Sequence, residues 1–215
     1  MLQVYLVRHG ETEWNVAHCI QGQSDSPLTE VGIRQAKLVA ERVKSIGITH
    51  IISSDLGRTQ KTAEIIAQAC HCNIILEPRL RELNMGILEG RAISSLSDEE
   101  ERWRRNLVNS SPGARIPDGE SMGEITERMF TTLEKCRSLP AGSIPLLVSH
   151  GIWLGALLNR ILVVPTYAER RLRLRNCSIS KVAFQETPWL ANGWVVETAG
   201  DISHLVEPAL DEQQI

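Results

Sequence analysis

The chain alternates short apolar runs with stretches in which apolar residues recur every three or four positions. Residues 2–7 (LQVYLV) are almost unbroken in apolar character and end in Arg8, His9 and Gly10. A run of this kind suits a strand buried on both faces. "THIISSD" (49–55), "NIILE" (73–77) and "IPLLVSH" (144–150) repeat the pattern, and "CSISKVAF" (177–184) and "WVVET" (194–198) add two further strands. Helical spacing fills the intervals. Thr29 is a candidate cap ahead of Ala36, Val39, Ala40 and Val43, and "TAEIIAQA" (62–69) and "IWLGALLNRIL" (152–162) read as helices. Two more are expected at about 97–109 and about 120–138, the second aligning Met122, Ile125, Met129, Leu133 and Cys136 on one side.

Strands alternating with helices predict an α/β fold: a mostly parallel sheet covered by helices on both faces. The stretch from about 84 to 143 lacks a strong strand signal and reads as a helical insertion over the C-terminal ends of the strands. Residues 1–215 are taken as one domain with that insertion. The length and the 42% of hydrophobic residues are ample for a packed core.

Composition narrows the function by exclusion. A net charge of −3 argues against a broad nucleic-acid surface, which would be basic, but leaves room for a small cationic pocket. No apolar run reaches the roughly 20 residues that cross a bilayer. "MLQVYLV" is too short for a secretory core and has no cationic start, so a cytoplasmic enzyme is expected, with neither membrane nor nucleic acid as partner. The five cysteines (Cys19, Cys70, Cys72, Cys136 and Cys177) are scattered and odd in number, as suits a reducing compartment. Cys70-His71-Cys72 has no second pair at zinc-like spacing and reads as a helix end running into a strand.

Ligands of open α/β sheets bind beyond the carboxyl ends of the strands, so those ends hold the candidate chemistry. The first strand ends in Arg8-His9-Gly10, and the second in "SSDLGRTQKT", which carries Arg58. The third is followed by Arg81 and Glu82, and the fourth ends in Ser149-His150-Gly151. Arginine forks match phosphate oxygens, and glycine permits sharp turns and close approach. The helices near Arg58 and Gly151 are expected to aim their N-terminal amides at the same rim. Together these make a phosphate cradle around a histidine nucleophile.

Three other readings compete. A histidine at a strand end is commonly structural, although two His-Gly ends in one chain weigh against that. His9, Glu82 and His150 could ligate a metal, but Arg8 and Arg58 would then crowd a divalent cation with few carboxylates to balance it. A nucleotide-binding fold would need a glycine-rich fingerprint or a Walker A run, and the chain has neither.

With those residues in place the chain resembles the histidine phosphatase superfamily, in its phosphoglycerate mutase-like branch. The resemblance rests on "LVRHGETEWN", "QGQSDSPLT", "SSDLGRTQKTAEII", "RLRELNMGILEG", "GESMGEITERM" and "LLVSHG", in that order over most of the length. It implies that His9 is phosphorylated during turnover and that Arg8, Arg58 and His150 bind the transferred group. It also implies that Glu82 donates and accepts the proton, without a metal. Asn15, Gln21, Gly22 and Gln60 are further ligand contacts by the same resemblance, as are Gly151 and Ile152 through their backbone. Small phosphorylated metabolites, such as a phosphoglycerate, are the implied substrates, and a homodimer is a possible assembly.

The pattern departs from the metabolic mutases at two places. They carry Arg-His-Tyr directly after the catalytic glutamate, where this chain has Leu83-Asn84-Met85. Their insertion before the second histidine is also longer. Both departures favour hydrolysis, because a less enclosed phosphohistidine is open to water. Arg104 and Arg105 point the other way, since they resemble paired substrate-binding arginines of mutases; a solvated helix face is the plainer alternative. A phosphatase is therefore expected, with a mutase primed by 2,3-bisphosphoglycerate as the alternative and a non-catalytic phospho-ligand module as the alternative of another class. Arg171, Arg173 and Arg175 alternate in "RRLRLRN" and read as a solvated strand or interface edge.

Overall fold

The computed structural model describes residues 1–109, 111, 113–165, 172–188, 190 and 192–205. Among the described residues six strands form one sheet: β1 (Leu2–Arg8), β2 (His50–Ser53), β3 (Ile74–Leu76), β4 (Pro145–Ser149), β5 (Ile179–Phe184) and β6 (Trp194–Asp201). Their order is β3-β2-β4-β1-β5-β6. The first four pair in parallel, β5 runs antiparallel to β1, and β6 runs antiparallel to β5. The helices are α1 (Glu13–Val16), α2 (Glu30–Lys44), α3 (Gly57–Cys70), α4 (Asp98–Val108), α5 (Met122–Arg137) and α6 (Gly151–Ile161).

Alternation along the strands sorts the core into two layers. Val4, Leu6 and Leu147 face a cluster with Met129 and Leu133 of α5 and Trp153 and Leu157 of α6. Val7, Leu146 and Val148 face the opposite way, onto Val39 and Val43 of α2 and Ala63 and Ile66 of α3. Both faces are thus covered, which is why residues 4–7 of β1 and 146–148 of β4 are apolar without a break. β1 and β4 lie side by side, in register at Arg8 and Ser149, so their C-terminal ends deliver His9 and His150 to one place.

Among the described residues, the stretch from 84 to 143 holds no strand. It holds two 3₁₀ turns (Gly86–Leu88 and Ile93–Ser95), α4 and α5. Ile125, Met129, Leu133 and Cys136 of α5 are fully buried in one core cluster with Leu88 of the first turn and Leu107 of α4, while Ile93, Arg104 and Val108 turn to a cavity beside the strand ends. The strand expected from Cys177 begins at Ile179, because Cys177 has a left-handed φ of 55° and its amide turns back to the carbonyls of Arg8 and His9. The expected arginine-rich edge strand does not form: residues 172–175 belong to no strand, Leu174 is buried and only Arg173 of these four is exposed. Arg171 lies outside the described residues. His71 closes α3 in the left-handed conformation, so Cys70-His71-Cys72 is the turn from helix into β3.

Candidate active site

Each strand end is pinned before it can offer a side chain. The amide of His9 donates to the carbonyl of Ser149 (3.0 Å), continuing the β1–β4 ladder past the last paired residue. Gly10 then packs against the backbone of Gly32 so closely that a Cβ would stand 2.6 Å from that carbonyl oxygen. The Arg8 guanidinium is buried and donates to the carbonyl of Leu174 (2.8 Å). Asn176 donates to the carbonyl of His9 (3.1 Å) and to Oδ1 of Asn15 (3.3 Å), tying the nucleophile's backbone to the first loop.

The ring of His9 has a defined tautomer. Nδ1 lies 2.7 Å from the carbonyl oxygen of Gly10, which can only accept, so Nδ1 carries the hydrogen and Nε2 keeps its lone pair. Burial holds the His9 imidazole well below its ordinary pKa, and the charges of Arg58 and then Arg8 act in the same direction against the Gly10 hydrogen bond. His150 lies beside it, with ring centroids 5.3 Å apart and its Nε2 2.9 Å from Oγ of Ser54. Its pKa is also pushed well down, by burial first and by Arg58, His9, Arg8 and Arg128 after it. Two neutral imidazoles thus sit among guanidinium groups. That arrangement suits attack on an anion.

Arg58 leaves the first turn of α3 almost fully buried. Its Nη1 donates to the carbonyl of Ser24 (2.7 Å) and to Asp25 (3.0 Å), and its Nη2 to the carbonyl of Gly22 (2.7 Å). Asp25 also accepts from the amides of Gly57 and Arg58, capping a helix whose own N-cap, Leu56, offers no side-chain acceptor. Glu82 does the same for α6. Its Oε1 accepts from the amides of Leu83 and Trp153, and its Oε2 from Ile152, all at 2.9 Å. The expectation that both helices turn their N-terminal amides to phosphate is therefore corrected. The amides of Gly57, Arg58, Ile152 and Trp153 are held by two carboxylates from distant loops, so the amide of Ile152 is already bonded to Glu82.

A cavity opens beside these groups, lined by His9, Asn15, Gln21, Gly22, Arg58 and Glu82 at one end. Cys19, Ile20, Met85, Ile93, Val108 and Ile152 make the rest of the wall apolar, with Arg104 among them. Gly22 adopts a φ of 55°, and a Cβ there would collide with Glu89. Glu89 stitches the two sides of the mouth together by accepting from the amides of Gln23, Ser24 and Met85. Arg8, His150 and Gly151 are buried and lie outside the lining set. Gln60 also lies outside it, with its amide donating to the carbonyl of Asp55 (2.7 Å). Arg81 forks onto Asp55 instead of turning to the cavity. Arg104 reaches the lining while forked onto Glu101, but Arg105 does not line the cavity and its side chain is largely exposed. Among the described residues no group of three or more His, Cys, Asp and Glu is arranged to hold a metal ion.

The family model of the histidine phosphatase superfamily (branch 1) matches residues 4–197. The chain belongs to that family. A protein of Cronobacter sakazakii named as probable phosphoglycerate mutase GpmB is 70% identical over the whole of both chains. Among solved structures, Bacillus stearothermophilus YhfR superposes with a TM-score of 0.84 at 26% identity, over 95% of this chain and 99% of that one. Phosphoserine phosphatase of Entamoeba histolytica, solved with 3-phosphoglyceric acid, gives 0.81 at 27% identity over 96% and 100%. The chain is thus a phosphoglycerate mutase-like histidine phosphatase with the α/β fold of that family. Sequence reasoning named the histidines and Arg58 but missed Asp25, Glu89, Glu120, Arg128 and Asn176. The first four stand inside motifs that carried the family resemblance, so a signal was present; Asn176 had none.

Proposed function

We propose that this chain hydrolyses phosphomonoesters of small metabolites through a phosphohistidine formed on His9, without a metal. The observation that carries the reading is the His9 ring itself: neutral, with Nδ1 committed to the Gly10 carbonyl and Nε2 left as nucleophile at the cavity wall beside Arg58. In the first step Nε2 attacks phosphorus, the bond from phosphorus to the alcohol oxygen breaks, and Glu82 supplies the proton that oxygen needs. Arg58 at the cavity wall, with Arg8 and His150 buried beside His9 and close enough to act on it electrostatically, stabilises the charge on the equatorial oxygens, and Asn15, Gln21 and Gly22 fix the phosphoryl group from the first loop. The entering phosphoryl dianion beside Glu82 is what favours the protonated carboxyl. In the second step water attacks the phosphorus of phospho-His9, the bond from phosphorus to Nε2 breaks to return neutral His9 and free phosphate, and Glu82 takes the proton from the water.

Hydrolysis is favoured over transfer by the cations beyond the phosphoryl end. A mutase primed with 2,3-bisphosphoglycerate has to retain an intermediate bearing two phosphates and a carboxylate. Here Arg104 is already countered by Glu101, Arg105 faces away, and Met85 stands in the wall where the mutases place a polar group. Cavity-lining Arg104 and the mutase-named relatives support the transfer reading in turn. Incubation of 3-phosphoglycerate with a trace of 2,3-bisphosphoglycerate in excess EDTA, followed by phosphorus NMR, decides between them. Inorganic phosphate is expected to outrun 2-phosphoglycerate. Isomerisation faster by tenfold, a barrier difference of about 1.4 kcal/mol, overturns the preference, and loss of all activity to EDTA overturns the metal-free chemistry.

A further inference from the structure

We propose that Arg128 of α5 is a positioning residue for the carboxyl of Glu82, a role that rests on the reading of Glu82 as the proton donor. A guanidinium has five N–H donors, and here all five are used. Nε donates to Oε1 of Glu120 (2.9 Å). Nη1 donates to the carbonyls of Arg79 (2.8 Å) and Arg81, and Nη2 to the carbonyl of Glu82 (2.8 Å) and to Oε2 of Glu120 (2.8 Å). Glu120 in turn accepts from the amide of Asn84 (3.0 Å), and its own amide donates to the carbonyl of Asn84 (2.9 Å). One ion pair thus grips the backbone on both sides of Glu82.

The grip has a physical reason. Three carbonyls of residues 79, 81 and 82 converge on one point, and their partial negative charges repel unless a cation sits between them. Glu82 is held at two ends by two different helices: its carbonyl by α5 through Arg128, and its carboxyl by the α6 amides. Without Arg128 the carboxyl stays on α6, while the Glu82 carbonyl keeps only the Gln23 side-chain amide (3.1 Å) and the Arg79 carbonyl only the Trp153 indole (2.8 Å), so the backbone loosens and the carboxyl oxygens move relative to the leaving alcohol. Because every donor is satisfied within the protein, Arg128 has none to offer a substrate. That separates it from Arg58 and Arg104, which line the cavity.

The test compares single-turnover phosphorylation of the full-length chain by an alkyl phosphate, glycerol 3-phosphate, and by p-nitrophenyl phosphate, whose leaving group needs little protonation. Arg128→Ala is expected to slow the alkyl ester about 100-fold, the cost of misplacing a catalytic group by about 1 Å. It should slow the nitrophenyl ester less than about threefold, with KM little changed for either. Added guanidinium should restore part of the alkyl rate. In a Glu82→Gln background the loss from Arg128→Ala should disappear, since two residues acting through one group are not additive. If Glu82→Gln itself slows both esters alike, the acid role of Glu82 fails and the proposal falls with it. If Glu82→Gln discriminates between the esters but Arg128→Ala slows both equally, or keeps its loss in the Glu82→Gln background, the positioning role alone is overturned. Should Arg128→Ala not fold, Arg128→Lys and Glu120→Gln carry the same comparison, with a smaller alkyl-selective loss expected and an equal loss on both esters overturning it.

Discussion

Asp25 sits at the rim with a third of its side chain exposed, and an exposed ion pair is worth about 0–1 kcal/mol. Its contacts argue for more. It accepts from the amides of Gly57 and Arg58, so it is the cap of α3, and from Nη1 of an Arg58 side chain that is 1% exposed. Loss of a helix cap costs about 1 kcal/mol. Loss of a hydrogen bond to a charged group costs about 1.5–3 kcal/mol, and the exposure of Asp25 puts this one at the low end. The carbonyls of Ser24 and Gly22 still hold Arg58, so the penalty stays under the roughly 3–5 kcal/mol of stripping a buried charge of its partner. Asp25→Ala is therefore expected to lower unfolding free energy by about 2–3 kcal/mol, and Asp25→Asn, which keeps one acceptor oxygen, by about half as much. Urea unfolding at pH 7 reads this directly, with the midpoint shifting and the slope unchanged. A loss below about 0.5 kcal/mol for Asp25→Ala would place Asp25 among ordinary surface charges and refute the capping argument.

Two further outcomes follow from the histidines. His9→Ala should abolish turnover, and brief incubation with labelled substrate should give an acid-labile, base-stable phosphoenzyme in the wild-type chain only; label in His9→Ala would remove His9 as nucleophile. His9 and His150 are both held below their ordinary value of 6.5, so on acidification the unfolded chain takes up protons that the folded chain refuses. Stability from these groups is full above about pH 6.5 and falls below it, by up to about 1.4 kcal/mol per pH unit for each histidine. Denaturant titrations at pH 7.5 and 5.5 should show the fall, with a shallower one in His150→Gln; a flat profile would mean that the imidazoles are not buried neutral.

The sheet was legible because burial on both faces leaves little room for polar residues: residues 4–7 and 146–148 are unbroken apolar runs that change abruptly to Arg8-His9 and Ser149-His150. β5 read as a strand, but its antiparallel direction did not show, since direction depends on the chain's return path and not on its pattern. Helix periodicity also carried information that the reading left unused. Adjacent helical residues are about 100° apart, so with Arg104 turned to the cavity wall the side chain of Arg105 leaves α4 toward solvent. By the same geometry Gln60, about 200° around α3 from Arg58, points away when Arg58 points in. The caps were hidden for another reason. Leu56 and His150 make no side-chain cap, and the carboxylates that replace them, Asp25 and Glu82, come from loops far away in sequence.

The pairing of charges around the cavity bears on how an enzyme of this kind would turn over. Asp25 faces Arg58 and Glu101 faces Arg104 at the cavity wall, and away from it Asp55 faces Arg81 and Glu120 faces Arg128. The site therefore does not gather positive charge in bulk; it sets donors at fixed angles and balances much of their charge close by. A phosphoryl group in transfer spreads its charge over three equatorial oxygens, and fixed donors reward that geometry more than they reward charge alone. Free phosphate, once formed, meets a cradle whose main cavity cation already has a carboxylate partner, so it is held less tightly than by an unbalanced cluster. A hydrolase has to release phosphate in every cycle, whereas a mutase has to keep a bisphosphorylated intermediate. A balanced cradle serves release. On the proposed reading, the Asp25 that caps α3 also favours phosphate release, and with it hydrolysis over transfer.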